Sequence, residues 1–225
     1  MFDIVRKEEY FECLAAGHAT ESNITLKGIQ DGWTLKQLAN VKGKRIMEVG
    51  GGDSRILPLL DGNERWNVDK FEGVGQGPTK AQEVGGVTVI RSFLGEFDAA
   101  LPCVDIIFSI SVIEHIPFAA YADTFADMAR CLLPGGRLLH TIDLPLSHVS
   151  LSHSDERIRL LRDAVEGSGL SWMTQPVIAP GQMFESDMAS NSDVSAYRWT
   201  KICDVTKRTA PLNQLVTLKL IAEKT

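Results

Sequence analysis

The stretch Glu48-Val49-Gly50-Gly51-Gly52-Asp53-Ser54-Arg55-Ile56, "EVGGGDSRI", packs three consecutive glycines between two acids, directly after the apolar run "RIMEV" (45–49). An apolar run that ends in glycines reads as a buried strand entering a tight turn. Glycine takes positive φ without steric cost and lets main chain approach a partner closely. Further apolar runs follow in "RWNVD" (65–69), "VTVI" (87–90), "DIIFS" (105–109) and "GRLLHTI" (136–142), with helical patterns between them. That alternation predicts an α/β fold, an open and mostly parallel sheet with helices on both faces. The glycine turn then sits at the first strand-to-helix junction, at the carboxyl ends of the strands, where such sheets bind ligands.

The intervening segments carry their own signals. "FAAYADTFADMARCLLPGG" (118–136) places Ala, Phe, Met and Leu at three-to-four spacing and stops at Pro134-Gly135-Gly136, which predicts a helix closed by a turn. "SDERIRLLRDAVEGSG" (154–169) predicts another, with Ser154 as its cap and Gly167 at its close. Two regions break the pattern. Residues 71–86, "FEGVGQGPTKAQEVGG", stand where a crossover helix belongs but hold five glycines and a proline, so a regular helix there is short or absent. This stretch also lacks the Gly-Lys-Ser/Thr ending of a phosphate loop. Residues 171–206 are polar and irregular, an expected substrate-side insertion before the alternating strand "QLVTLKLIAEK" (214–224). The expected organisation is one domain over 1–225: an N-terminal helical segment (1–40), a ligand-binding core (41–145) and a C-terminal part (146–225).

Composition narrows the function classes. With 225 residues, 44% hydrophobic and 23% charged, the chain is long enough to bury a full core. Formal net charge is −6 and there is no Lys/Arg-rich block, so the electrostatic footprint of a nucleic-acid binder is missing. Cys13, Cys103, Cys131 and Cys203 form no C-x-x-C pair, which gives neither a zinc site nor a disulfide framework and fits a reducing cytoplasm. No run approaches the roughly 18 uncharged apolar residues that would span a bilayer.

The turn itself selects a ligand. A dinucleotide fingerprint needs G-x-G-x-x-G; Gly50 and Gly52 supply the first two positions, but Arg55 stands at the third. A pyrophosphate also wants amide donors and the positive end of a helix, whereas Glu48 and Asp53 add negative charge beside it. Those acids suit a cationic ligand. Asp69, at the end of the second strand, is placed to accept hydrogen bonds from both hydroxyls of a ribose. A nucleoside with a cationic tail is implied.

Four features together resemble the class I S-adenosylmethionine-dependent methyltransferases: Glu48-Val49-Gly50-Gly51-Gly52, Asp69 after the second strand, "LPCVDIIFSISVIEHIP" (101–117) and "LLPGGRLLHTID" (132–143). The resemblance covers roughly residues 40–145. It implies a Rossmann-like seven-stranded sheet with one antiparallel strand, "QLVTLKLIAEK", and S-adenosylmethionine as cofactor. It further implies that Gly50, Gly51 and Gly52 meet the methionine tail and that Glu48 helps hold its amino end. Asp69 would take the ribose, and Ser92 and Phe93 would flank the adenine, with Glu96 and Asp98 as competing matches in that loop. Main-chain groups at Ser109 and Ile110 would face the tail.

The implied chemistry is transfer of a sulfonium methyl group to a nucleophile, and oriented encounter alone supplies roughly 7–11 kcal/mol of such a barrier. A general base helps where the acceptor loses a proton, and His115 and His148 are the candidates by position. His140, mid-strand, reads as a core residue. Asp143, His148, His153 and Asp155 cluster in sequence but match no metal-ligand spacing. The Asn/Asp-Pro-Pro-aromatic sequence of many amino-methylating enzymes is replaced by "SISV", so the expected acceptor is an oxygen of a sugar or other small metabolite. Asp143 and Tyr197, the latter in "SAYRWT" (195–200), are its expected contacts. An NAD(P)-dependent oxidoreductase and a non-catalytic methyltransferase-fold binding protein are the alternatives. The thin crossover at 71–86 leaves a sheet face for the N-terminal helix or for a second copy in a homodimer.

Overall fold

A computed structural model describes residues 1–19, 26–73, 77–81, 84–145, 151–180 and 215–225. Its strands are β1 (Phe2–Ile4), β2 (Arg45–Val49), β3 (Glu64–Val68), β4 (Val87–Ile90), β5 (Val104–Ile110), β6 (Leu132–Pro145), β7 (Leu170–Trp172) and β8 (Leu215–Lys224). The helices are α1 (Lys7–Ala15), α2 (Leu26–Leu38), α3 (Tyr121–Cys131) and α4 (Leu151–Gly167). The strands form one sheet in the order β1-β8-β6-β5-β2-β3-β4, with β7 also paired to β8. From β4 to β6 all neighbours are parallel. β8 runs against β6, and is the one reversed strand of seven positions. The seventh position is shared: β1 pairs with residues 218–220 of β8 and β7 with residues 222–224. Chain order reverses between β2 and β5, which opens a crevice at the carboxyl ends of those two strands.

Period-two alternation sends Met47, Ile107 and Leu138 to one face and Ile46, Phe108 and Leu139 to the other. α3 and α4 cover the first face through Phe125, Met128 and Leu161. α1 and α2 cover the second through Tyr10, Ile29 and Trp33. Each such side chain contributes about 1.5–3 kcal/mol by leaving water.

Three local expectations are corrected. The N-terminal segment opens with a strand, not a helix, because Phe2 and Ile4 are needed to fill the sheet edge and are fully buried there. α4 begins at Leu151, so Ser154 is a buried interior residue rather than its cap. α3 stops at Cys131, ahead of Pro134-Gly135-Gly136, which lies inside β6. There the register jumps from Val104 opposite Leu132 to Ile106 opposite Arg137, a bulge that absorbs the proline and its glycines. Among the described residues of 71–86 no helix forms, as their glycines predict.

Candidate functional site

The glycine turn crosses the crevice mouth. Gly50 and Gly52 have φ of +63° and +49°, the left-handed region that glycine alone occupies freely. A Cβ at Gly50 would lie 2.7 Å from both methyl carbons of Val112, and one at Gly52 2.8 Å from Pro78 Cδ. The turn is therefore closed over bare backbone on both sides. The segment up to β3 holds only a 3-10 turn at Leu57–Leu59, so no long helix points its N-terminus at the crevice as a pyrophosphate site requires. Arg55, in place of the third glycine, reaches Asp31 on α2 with hydrogen bonds of 2.7 and 2.9 Å.

The acids flank that turn. Glu48 is buried and accepts a hydrogen bond from the Ser54 hydroxyl. Burial pushes its carboxyl up to about 7, and Ser54 and Arg55 only partly oppose this. Asp69 accepts from the Gly52 amide at 3.0 Å on one oxygen and from the Phe71 amide at 2.6 Å on the other. A carboxylate has about four lone-pair sites, so two stay open to ribose hydroxyls. Asn67, which the sequence reading missed, donates to the Gly52 carbonyl at 2.8 Å, while its buried Oδ1 has no partner. It lies beside Gly51, where a Cβ would come within 2.7 Å of that Oδ1. A glycine cradle, a half-used carboxylate and an orphaned amide oxygen fit a nucleoside with a cationic tail.

The remaining cofactor candidates divide. Ser92 is buried, and Phe93 is 41% exposed with the Lys70 ammonium 4.5 Å from its ring centre. Lys70 also pairs with Glu96. Ile110 is buried on the α2 face. The Ser109 side chain turns to the opposite face, where its hydroxyl lies 2.7 Å from His140 Nδ1. Burial pushes His140 down to about 3, which keeps it neutral, the core residue its position predicts.

Beyond Val112 the chain builds a buried polar cluster that no local motif announces. Ser111 adopts φ +53°, a strained conformation for a non-glycine residue. Its hydroxyl bridges Asp143 Oδ1 at 2.5 Å and Gln30 Oε1 at 3.0 Å, and Gln30 Nε2 donates to the same Asp143 oxygen at 2.6 Å. Gln30 comes from α2, Ser111 from the end of β5 and Asp143 from β6. Next to them, Glu114 turns its carboxyl inward: both oxygens are out of contact with solvent and neither has a hydrogen-bond partner. Burial, and after it the charge of Asp143, push Glu114 up to about 8. His115, one of the two candidate bases from sequence, is exposed at the end of the 3-10 turn Ile113–His115. His148 and Tyr197 lie outside the described residues. The acid beside His115 in "IEHIP" was the available signal for Glu114. Gln30 and Ser111 had none, because their pairing exists only across elements.

Comparison with known proteins agrees with this geometry. The profile of a family described as "Methyltransferase domain" matches residues 31–178, well over half of the chain. No curated protein sequence matches. Solved structures share the fold at low identity. A TehB-like SAM-dependent methyltransferase from Corynebacterium glutamicum is 14% identical, with 97% of this chain and 96% of that one covered, at a TM-score of 0.55. An S-adenosylmethionine-dependent methyltransferase from Mesorhizobium loti is 15% identical, with 88% and 100% covered, at 0.57. The cyclopropane synthase MmaA2 of Mycobacterium tuberculosis is 15% identical, with 92% and 88% covered, at 0.57. The chain therefore belongs to the methyltransferase-domain family, as a class I enzyme that uses S-adenosylmethionine.

Proposed function

We propose that this enzyme methylates a small-molecule acceptor seated in the recess formed by Gln30, Ser111, Glu114 and Asp143. S-adenosylmethionine supplies an electrophilic methyl group; the chain's own residues bind, orient and desolvate. In this reading Glu48 and the Gly50–Gly52 turn hold the methionine end, Asp69 holds the ribose, and Ser92 and Phe93 border the base. One observation carries the placement of the acceptor: Val112 packs its methyl groups on Gly50, and the next residue back, Ser111, is hydrogen-bonded to Asp143. The recess therefore adjoins the methionine end of the crevice.

Asp143 supports an acceptor that carries hydrogen-bond donors. Ser111 and Gln30 both engage Oδ1, and Oδ2 has no hydrogen-bond partner among the described residues. A hydroxyl oxygen of a sugar-like metabolite is the acceptor drawn from the sequence, with His148 as base and Tyr197 as a contact. A nitrogen acceptor is the second reading, favoured by the unpartnered Glu114 carboxyl.

Calorimetric titration separates the classes of function. The chain is expected to bind S-adenosylmethionine and not NADH, and Asp69→Ala is expected to weaken that binding at least about tenfold, or ~1.4 kcal/mol. Binding of NADH alone would return the oxidoreductase reading. Tight S-adenosylmethionine binding with no methyl transfer to any of a panel of small alcohols and amines would favour a non-catalytic role.

A further inference from the structure

We propose that the acceptor is a primary or secondary amine, bound as its ammonium ion between the carboxyl groups of Glu114 and Asp143. This rests on the small-molecule methyltransferase reading above and names the substrate class of that recess.

The geometry is unusual for a structural cluster. A buried polar group without a partner is costly, and native proteins keep few of them. Glu114 is half-buried as a residue, yet its carboxyl end is the part turned away from water. The Ser111 hydroxyl and the Gln30 amide both donate to Asp143, and the influence of Ser111 and of the Glu114 amide only partly opposes the effect of burial on Glu114. Among the described residues no cation forms an ion pair with either acid: Lys27 on α2 is exposed, and its charge is outweighed by the burial and the Asp143 charge that raise Glu114. From α3, Tyr121 gives its hydroxyl to the Ile113 carbonyl at 3.2 Å, and burial pushes its phenol up to about 12, so it brings no charge. Two carboxyl groups with unused acceptor positions and no ion-paired cation among the described residues suit a ligand that brings N–H donors and positive charge. An ammonium ion supplies both.

Proton affinities separate an amine from an alcohol here. An alkyl ammonium near 10.4 can pass a proton to a carboxylate near 8 at a penalty of roughly a few hundredfold. For a hydroxyl group near the 15.7 of water the same transfer is disfavoured by more than about ten-million-fold. The step balances without another reactant. The ammonium N–H bond breaks and its proton goes to Glu114, leaving a neutral amine. The nitrogen lone pair then forms the C–N bond as the S–C bond breaks, with that bond's electron pair remaining on sulfur. The product is a methylated ammonium.

The test uses the full chain saturated with S-adenosylhomocysteine, with n-pentylammonium and its isostere n-pentanol as probes, read by ligand-observed NMR and proton uptake on binding. The ammonium is expected to bind at least tenfold more tightly than the alcohol. Its affinity is expected to rise between pH 6 and 9 as Glu114 ionises. Glu114→Gln and Asp143→Asn are each expected to weaken ammonium binding tenfold or more, with S-adenosylhomocysteine affinity within twofold of wild type. That cofactor affinity also shows that both variants are folded, and Glu114→Gln is expected to flatten the pH dependence. Equal binding of the alcohol, absence of ammonium binding at millimolar concentration, or an unchanged Glu114→Gln would overturn the proposal. So would displacement of the ammonium by magnesium chloride but not by sodium chloride of equal ionic strength, which would assign the recess to an inorganic ion. Failure of S-adenosylhomocysteine itself to bind would instead overturn the cofactor assignment on which the proposal rests.

Discussion

Gly50 shows how much a single position can carry. Its φ of +63° and the 2.7 Å approach to both Val112 methyl carbons exclude a side chain for two separate reasons. Gly50→Ala is expected to destabilise the chain by about 1–3 kcal/mol and to reduce S-adenosylmethionine affinity. Adding Val112→Ala should recover the steric part but not the backbone part, so a denaturation series on both variants and their combination separates them. Glu48 gives a second expectation. In its proposed role of holding the cationic methionine end, its carboxyl, pushed up to about 7 by burial, acts in the ionised form. Affinity for S-adenosylmethionine is therefore expected to rise between pH 6 and 8. In Glu48→Gln the calorimetric profile should be flat over that interval, and a wild-type profile that is flat as well would remove Glu48 from this role.

Among the elements, β1 does more than its three residues suggest. Phe2 is fully buried, its ring lies 5.4 Å from that of Trp172 on β7, and its carbonyl accepts from the amides of Val177 and Ile178. β1 thus ties the chain start to β8 and to the segment after β7. Phe2→Ala is expected to cost about 3–5 kcal/mol in a urea titration, the range for emptying a large core site. A loss below 1 kcal/mol would show that this edge is dispensable. So short a strand carries almost no periodicity, so sequence reading gave these residues to a helical segment. By contrast β2, β5 and β6 were legible, because each is a run of residues buried on both faces.

Across the whole molecule, buried titratable groups set a pH response. Glu48 and Glu114 have folded values raised to about 7 and about 8 from an ordinary 4.5. The stability they allow is fully present below about 4.5 and is lost as pH rises through 7 to 8. His140 works in the other direction: lowered to about 3 from 6.5, it contributes stability above 6.5 that is lost as pH falls toward 3. Without cofactor, a Glu48→Gln/Glu114→Gln variant is expected to melt higher than wild type at pH 8 and equally at pH 4. The gain is bounded by about 3 kcal/mol for Glu48, at ~1.4 kcal/mol per pH unit. No gain at pH 8 would mean that these carboxyls are solvated in the apo protein. The reversal of the last strand was implied only by the family resemblance, whereas the alternation of strands and helices, the glycine turn and the acids at 48 and 69 are legible in the sequence alone. Each of these is written in neighbouring residues, where a local rule of sterics or burial applies. The cluster of Gln30, Ser111 and Asp143 exists only in the folded chain, because the three come from three elements and meet through side-chain hydrogen bonds that no spacing along the chain encodes. The tertiary structure also decided that the carboxyl of Glu114, rather than the ring of His115, is buried beside Asp143, since the 3-10 turn after β5 sends one inward and its neighbour to solvent.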